Sequence, residues 1–419
     1  MTSGVIMKYF ILMCDGMSDG KLSALNGKSP MEAAAKPTMN MLAYRSFNGL
    51  ISYPEKDVIP TVSSTAFAVL GSDVKDLSGT AILEAAGRGL AIDAEDTAYR
   101  CSLVTLSEDG DYRDKTMISA FDGDVTPEET ARLISALNKG LSTKIKKFYA
   151  GAGTEHCLLW KRAPGIEEMY SPADIVGGPV GPFLPAGESA ARLVPVFEKS
   201  YTILNDHPVN VKRRAEGKKP LNSVWLWAAG KRPDIENFDE KWKVSSAAVC
   251  SDPDVRAAAA ISGIRCVDAV PGENGEYAAK AAAAVAEFSA GADLVFVHVG
   301  SALKASFEGD AQAKVRAIEE TDSAILAPVY EYLCGCGDQF KILVTSGAAA
   351  SVEARAYTAE KSPFFMYNST RTEVGNKPFS ELNAAKSGFW LPEGFKFIPF
   401  MIRLPAPEKE ETTEENGQQ

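Results

Sequence analysis

Lys8-Tyr9-Phe10-Ile11-Leu12-Met13-Cys14, followed at once by Asp15-Gly16, is the stretch that decides the fold. A continuous apolar run that ends in a carboxylate and a glycine reads as a strand buried on both faces. Such a strand delivers a polar residue at its C-terminal edge. The runs 223–228 (Ser-Val-Trp-Leu-Trp-Ala), 293–299 (Asp-Leu-Val-Phe-Val-His-Val) and 340–345 (Phe-Lys-Ile-Leu-Val-Thr) have the same character. Between the last two, Val315, Ile318, Ile325, Leu326, Val329 and Tyr332 recur at helical spacing, and an alanine-rich helix over 276–289 precedes the 293–299 strand. Strands alternating with helices predict an α/β core with a mostly parallel sheet flanked by helices.

The middle of the chain reads differently. Tyr99–Thr105, Phe148–Ala150 and Glu155–Lys161 are shorter and more alternating, and turn signals such as Gly177-Gly178-Pro179 are frequent. This predicts a smaller α+β domain over 97–215, inserted into a discontinuous core of 1–96 and 216–405. The segment 406–419 is Glu-, Thr- and Gln-rich without an apolar face, and reads as a disordered acidic tail.

Composition narrows the function. A chain of 419 residues exceeds the usual size of one core, and 45% hydrophobic with 24% charged residues is the profile of a soluble globular protein. A net charge of −11 argues against general nucleic-acid or anionic-membrane binding, although a local basic pocket for an anionic small ligand remains compatible with it. No apolar stretch reaches roughly 18 residues, and the N-terminus lacks a cleavable signal pattern. Seven scattered cysteines fit a reducing, cytoplasmic setting. Their one close pair, Cys334-Gly-Cys336, reads more simply as two small residues at a helix end than as a redox or metal site. Gly87-Arg88-Gly89 does not follow a strand at phosphate-loop spacing and gives no nucleotide site.

Several strings, taken in order, carry a family resemblance. Asp15-Gly16-Met17-Ser18-Asp19 and Gly27-Lys28-Ser29-Pro30-Met31-Glu32-Ala33-Ala34 stand near the N-terminus. Thr154-Glu155-His156, His207-Pro208-Val209-Asn210 and Pro220-Leu221-Asn222 before Trp225-Leu226-Trp227 follow. Val270-Pro271-Gly272, His298-Val299 and Glu308-Gly309-Asp310-Ala311-Gln312-Ala313-Lys314-Val315 complete the set, which spans about residues 7–404. In this the chain resembles the archaeal-type, cofactor-independent phosphoglycerate mutases of the alkaline-phosphatase superfamily. The resemblance implies an alkaline-phosphatase-like core with an inserted domain. It also implies isomerase chemistry of glycolysis, in which a Ser or Thr takes and returns a phosphoryl group between two divalent cations (manganese, magnesium or zinc).

That chemistry needs roughly seven ligands, counting carboxylates, imidazoles and the nucleophile. By the resemblance, Asp15 matches the ligand at the end of the first strand. The nucleophile motif falls on Thr61-Val62-Ser63-Ser64-Thr65-Ala66, anchored on Val69-Leu70-Gly71; it puts Val62 at the nucleophile, or Ser63 after a slip of one residue. The Asp and His that follow His298-Val299 in the family correspond to Leu303 and Phe307, the later Asp-His pair to Gly347-Ala348, and the last histidine to Tyr357. A candidate phosphate-binding arginine is replaced at Gly79-Thr80. On this reading Asp15 alone survives of the metal set, no metal cofactor is expected, and two-metal catalysis is lost.

The expected function is therefore that of a mutase-like pseudoenzyme with a binding or scaffolding role. Its ligand is expected to be a small phosphorylated or carboxylate compound, held by His207, Arg213 and Arg214, or the chain pairs with itself or with an active relative. A solvated basic stretch is the simpler account of those three residues. For His156 and His298 the simpler account is a hydrogen-bonded structural role; for Ser63 and Ser64 it is helix capping. The rival is an active mutase or related phosphotransferase with a relocated site, interconverting 3- and 2-phosphoglycerate. A third reading is a purely structural or assembly role.

Overall fold

The computed structural model describes residues 7–53, 61–73, 81–120, 124–151, 153–164, 169–273, 275–371 and 377–402. The tail expected over 406–419 lies outside them. The chain forms two compact units. The first comprises Met1–Ser72, Phe238–Cys250 and Val267–Gln419; the second comprises Asp73–Asn237 and Ser251–Cys266. The division falls at Ser72/Asp73 and Asn237/Phe238, outside the 97–215 span of the sequence reading.

In the first unit β1 (Met7–Cys14) is central, with β10 (Leu294–Val299) and β11 (Gln339–Thr345) parallel on either side. Beyond β10 lies β8 (Ser246–Val249), also parallel. Beyond β11 comes β14 (Ser362–Asn368), antiparallel, then β2 (Phe47–Ile51), with β15 (Trp390–Leu391) parallel to β2. Mixed α/β architecture with a mostly parallel central sheet is thus what the apolar runs encode. Phe10, Leu12, Val295, Val297, Ile342 and Val344 supply one sheet face of the core, where Val315, Ile318, Ile325, Val329 and Leu333 join them. On Phe364 of β14, the rings of Phe397 and Phe389 pack edge to face.

The helical spacing read from 311 to 333 is interrupted. Helix Ala311–Thr321 passes through a π turn, Asp322–Leu326, into helix Ala327–Gly335. Pro328 explains the turn: it has no N–H to donate and its ring crowds the preceding turn, so the ladder widens instead of breaking. The Asp322 carboxylate accepts the N–H groups of Thr38 and Met39, at 3.1 and 2.6 Å, in the first turn of helix Pro37–Ala43.

The second unit is built on an antiparallel sheet. Its long strand β3 (Asp96–Leu106) pairs with β4 (Met117–Ser119), β6 (Glu155–Lys161) and β7 (Ser223–Lys231), and β5 (Lys146–Tyr149) pairs with β6. Strand β9 (Arg265–Val267) lies where the chain returns to the first unit. The run 223–228 is here a correction: β7 is antiparallel to β3 and does not belong to the parallel core. A run such as Val-Trp-Leu-Trp is apolar because both faces are covered, and helix and strand neighbours cover a sheet equally well. Leu133, Leu137, Leu193 and Phe197 cover one face, from helices Pro127–Leu141 and Gly187–Leu204. Ala81, Ile82 and Ala85 of helix Ala81–Gly87 meet Ala98, Cys157 and Leu159 on the other.

Candidate active site

The register of the parallel strands sets Met13 beside both His298 and Thr345, so β1, β10 and β11 end together. Ligands of open α/β sheets bind at such carboxyl edges. Asp15 sits there, fully buried, and both of its oxygens are engaged by the protein. The Ala348 N–H donates to Oδ1 at 2.8 Å, and His298 Nε2 lies 2.7 Å from Oδ2. His298 itself is buried.

Two glycines make this contact close. At Gly347, with φ +64°, an added Cβ would fall 2.0 Å from Asp15 Oδ1, so no side chain fits between the carboxylate and the 347–348 backbone. At Gly16, with φ +72°, an added Cβ would fall 2.4 Å from Leu303 Cα. Helix Ser301–Glu308 therefore presses its backbone onto the turn after β1. The structure thus brings Asp15, Leu303, Gly347 and Ala348 together. Leu303 is buried, and Phe307 lies one turn further along the same helix face. The Phe307 ring meets Tyr357 edge to face, centroids 5.1 Å apart and planes at 90°. Tyr357 stands on the small hairpin of β12 (Ala350–Ser351) and β13 (Ala356–Tyr357). Where the family resemblance puts two imidazoles, the chain has two rings in contact.

The surroundings are buried. Burial, reinforced by the Asp15 charge, pushes the Cys14 thiol well above its ordinary range. Burial likewise raises the Tyr53 phenol, whose hydroxyl is hydrogen-bonded to Thr345 Oγ1. The Ser18 N–H donates to Ser346 Oγ at 2.8 Å. Next to it runs a network that sequence reasoning missed. Lys314 Nζ lies 2.8 Å from Asp19 Oδ2 and donates to the Ala350 carbonyl at 2.7 Å, while the Val352 N–H donates to the same Asp19 oxygen. The Asp19 N–H and the Ser29 hydroxyl both donate to Glu381. Burial lowers the Lys314 ammonium and raises the Glu381 carboxyl. Asp19 and Lys314 both stand in the strings that carry the family resemblance, but nothing local in the sequence signals that they pair.

Ser63 lies in the first turn of helix Val62–Val69, half-buried, next to buried Val62. The capping is done by its neighbours: Thr61 Oγ1 accepts the Ser64 N–H at 3.3 Å, and Ser64 Oγ accepts the Thr61 N–H at 2.9 Å. Gly79-Thr80 lies outside the described residues. Among the described residues no group of three or more His, Cys, Asp or Glu side chains is placed to hold a metal ion. The donor set at this edge, Asp15 and His298 with Leu303, Phe307, Gly347 and Ala348 beside them, has too few ligands for a two-metal centre.

In the second unit His207 caps helix Pro208–Ala215, its Nδ1 accepting the Val209 N–H. Burial, then the Arg132 charge, lowers its pKa. Arg213 is fully buried: Nε donates to the Lys219 carbonyl and Nη1 to the Asp124 carbonyl, both at 2.8 Å, with Glu129 Oε2 at 3.2 Å. Arg214 binds the Asn205 carbonyl and side chain and pairs with Glu108. Both guanidiniums thus serve the scaffold, which the run Lys-Arg-Arg alone does not reveal. His156 is also buried; its Nδ1 accepts the Gly151 N–H at 3.0 Å. Burial, then the Arg88 charge, pushes it down to about 4.

Comparison with known proteins agrees with this architecture. The family model of 2,3-bisphosphoglycerate-independent phosphoglycerate mutase matches residues 43–210. A mutase of that name from Methanosarcina barkeri is 32% identical over 405 residues, covering 95% of this chain and all of the relative. A probable mutase of that name from Geobacter sulfurreducens is 30% identical over 402 residues, covering 94% of this chain and all of its own. The solved structure of a cofactor-independent phosphoglycerate mutase from Thermoplasma acidophilum matches with a TM-score of 0.76 at 23% identity, over 96% of this chain and all of that one. The class is thus that of α/β proteins sharing the mutase fold. Within it, the chain belongs to the 2,3-bisphosphoglycerate-independent phosphoglycerate mutase family. Among the described residues, no helix is long and apolar enough to cross a membrane.

Proposed function

We propose that this chain is a mutase-like pseudoenzyme, in which a closed protein contact has replaced the dimetal phosphotransfer site. It acts by binding or scaffolding and not by two-metal catalysis. The observation that carries the reading is the poverty of donors around Asp15. Beside its carboxylate and the His298 imidazole stand Leu303, Phe307, Gly347 and Ala348, and among the described residues no third His, Cys, Asp or Glu joins them to hold a cation. The Phe307–Tyr357 contact supports it, since neither ring supplies an imidazole donor. The proposed ligand is a small phosphorylated or carboxylate compound, and the proposed partner is a second copy or an active relative. All seven cysteines are outside any disulfide, in keeping with a reducing, cytoplasmic setting.

One observation favours a second reading. Relatives named as mutases align over nearly the whole chain at about 30% identity. On that reading the chain interconverts 3- and 2-phosphoglycerate with Ser63 as a relocated nucleophile. A coupled mutase assay on wild type and Ser63→Ala, purified side by side, separates the two. The pseudoenzyme reading expects the same trace turnover in both preparations, set by host mutase. Turnover that vanishes in Ser63→Ala would establish the enzyme.

A further inference from the structure

The geometry points to a binding site for a small, multiply charged anion of the phosphate-ester class on the second unit, where Trp160 lies between Lys146 and Arg192. Lys146 and Trp160 are directly paired across β5 and β6, and Lys146 Nζ stands 4.4 Å from the indole centroid. Arg192, from helix Gly187–Leu204, sets its Cζ 5.1 Å from the same ring. Lys199 is two turns further along that helix, on the same face. Two cations therefore stack on one aromatic side chain, and the Lys199 charge reaches Lys146.

Two cations at the end of β6 are neutralised by carboxylates. Lys161 is paired with Asp93 at 2.7 Å and Arg162 with Glu95 at 2.9 Å. Lys146, Arg192 and Lys199 form no ion pair with any described carboxylate, in a protein whose net charge is −11. Lys146 is held below the usual lysine range, first by burial and then by the charges of Lys199 and Arg192. An anion would remove that repulsion.

The sheet face that carries Trp160 and Lys146 also holds polar groups that the fold leaves unsatisfied. Trp160 Nε1, the Tyr99 hydroxyl and the Thr97 hydroxyl are buried without a hydrogen-bond partner. Thr97 is directly opposite Trp160 across β3 and β6, and Tyr99 is two residues along, so all three belong to one face of adjacent rungs. Orphaned buried groups of this kind call for a ligand or water. An anion with several acceptor oxygens meets both needs, whereas a metal cation would be repelled. A compact phosphate is favoured over an acidic peptide because the unsatisfied groups are buried on adjacent rungs of one face, where an extended chain cannot follow. This site is independent of the pseudoenzyme reading, since it uses no residue of the first unit.

The test uses the full-length protein with fluorotryptophan at its five tryptophans, the Trp160 resonance being assigned with Trp160→Phe. Pyrophosphate is titrated against sodium chloride at matched ionic strength. The Trp160 resonance is expected to move saturably, with affinity at least tenfold weaker in Arg192→Gln and in Lys146→Gln. Lys161→Gln, at a cation already paired with Asp93, should bind like wild type, and retained dispersion of the other four resonances shows that each variant is folded. Movement that does not saturate, or that is equal in all variants, overturns the site. Tighter binding of a peptide with the acidic sequence of residues 405–419 also overturns it, and makes the surface a peptide dock.

Discussion

The Asp15 carboxylate and the His298 imidazole meet at 2.7 Å at the carboxyl edge of the parallel sheet, and the Ala348 N–H takes the other carboxylate oxygen. The contact joins the residue just after β1 to β10, so it ties together the ends of the two strands that frame the candidate site.

If that contact is structural, Asp15→Ala should cost stability independently of any metal. It leaves a buried imidazole and a buried amide without a partner, an expected loss of about 2–4 kcal/mol. Urea unfolding of wild type and variant, each with manganese and with chelator, measures it. A loss seen only with manganese would mean that Asp15 is a ligand.

Phe307 and Tyr357 should be energetically coupled. Edge-to-face aromatic pairs contribute about 0.5–1.5 kcal/mol beyond buried area, so a double-mutant cycle of Phe307→Ala and Tyr357→Ala should give a coupling in that range. Additive losses would mean that the two rings only neighbour each other.

His156 should make the protein acid-sensitive. Its folded pKa of about 4 lies below the ordinary histidine value of 6.5. The unfolded chain therefore binds the proton first as pH falls. The stability held by the neutral, buried ring is complete above about pH 6.5 and is lost between there and about pH 4, to a total of about 3 kcal/mol. His156→Asn should flatten that part of the stability profile in denaturant melts taken between pH 7 and pH 4. An unchanged slope would assign the acid sensitivity to other groups.

Much of this molecule is legible in its sequence. The run Lys8–Cys14, the strands before His298 and Thr345 and the helix over 275–289 follow from hydrophobic continuity and period alone. The convergence of Asp15, Leu303 and Gly347 follows from the rule that parallel strands end together. Other features depend on long-range pairing. Val224–Trp227 is apolar in either kind of sheet, so only its neighbour β3 decides the antiparallel assignment. Arg213 reads as a surface cation until the Asp124 and Lys219 carbonyls and Glu129 are seen around it. The Lys314–Asp19 pair joins residues 295 positions apart, beyond the reach of any local pattern.

The proposed absence of a two-metal centre beside Asp15 is tested most directly by the metal content of purified protein after equilibration with manganese or zinc and removal of the excess. The account predicts near-zero stoichiometry, the same in wild type and in Asp15→Ala. Two tightly held ions per chain, lost in Asp15→Ala, would contradict it and make the chain a metal-dependent mutase.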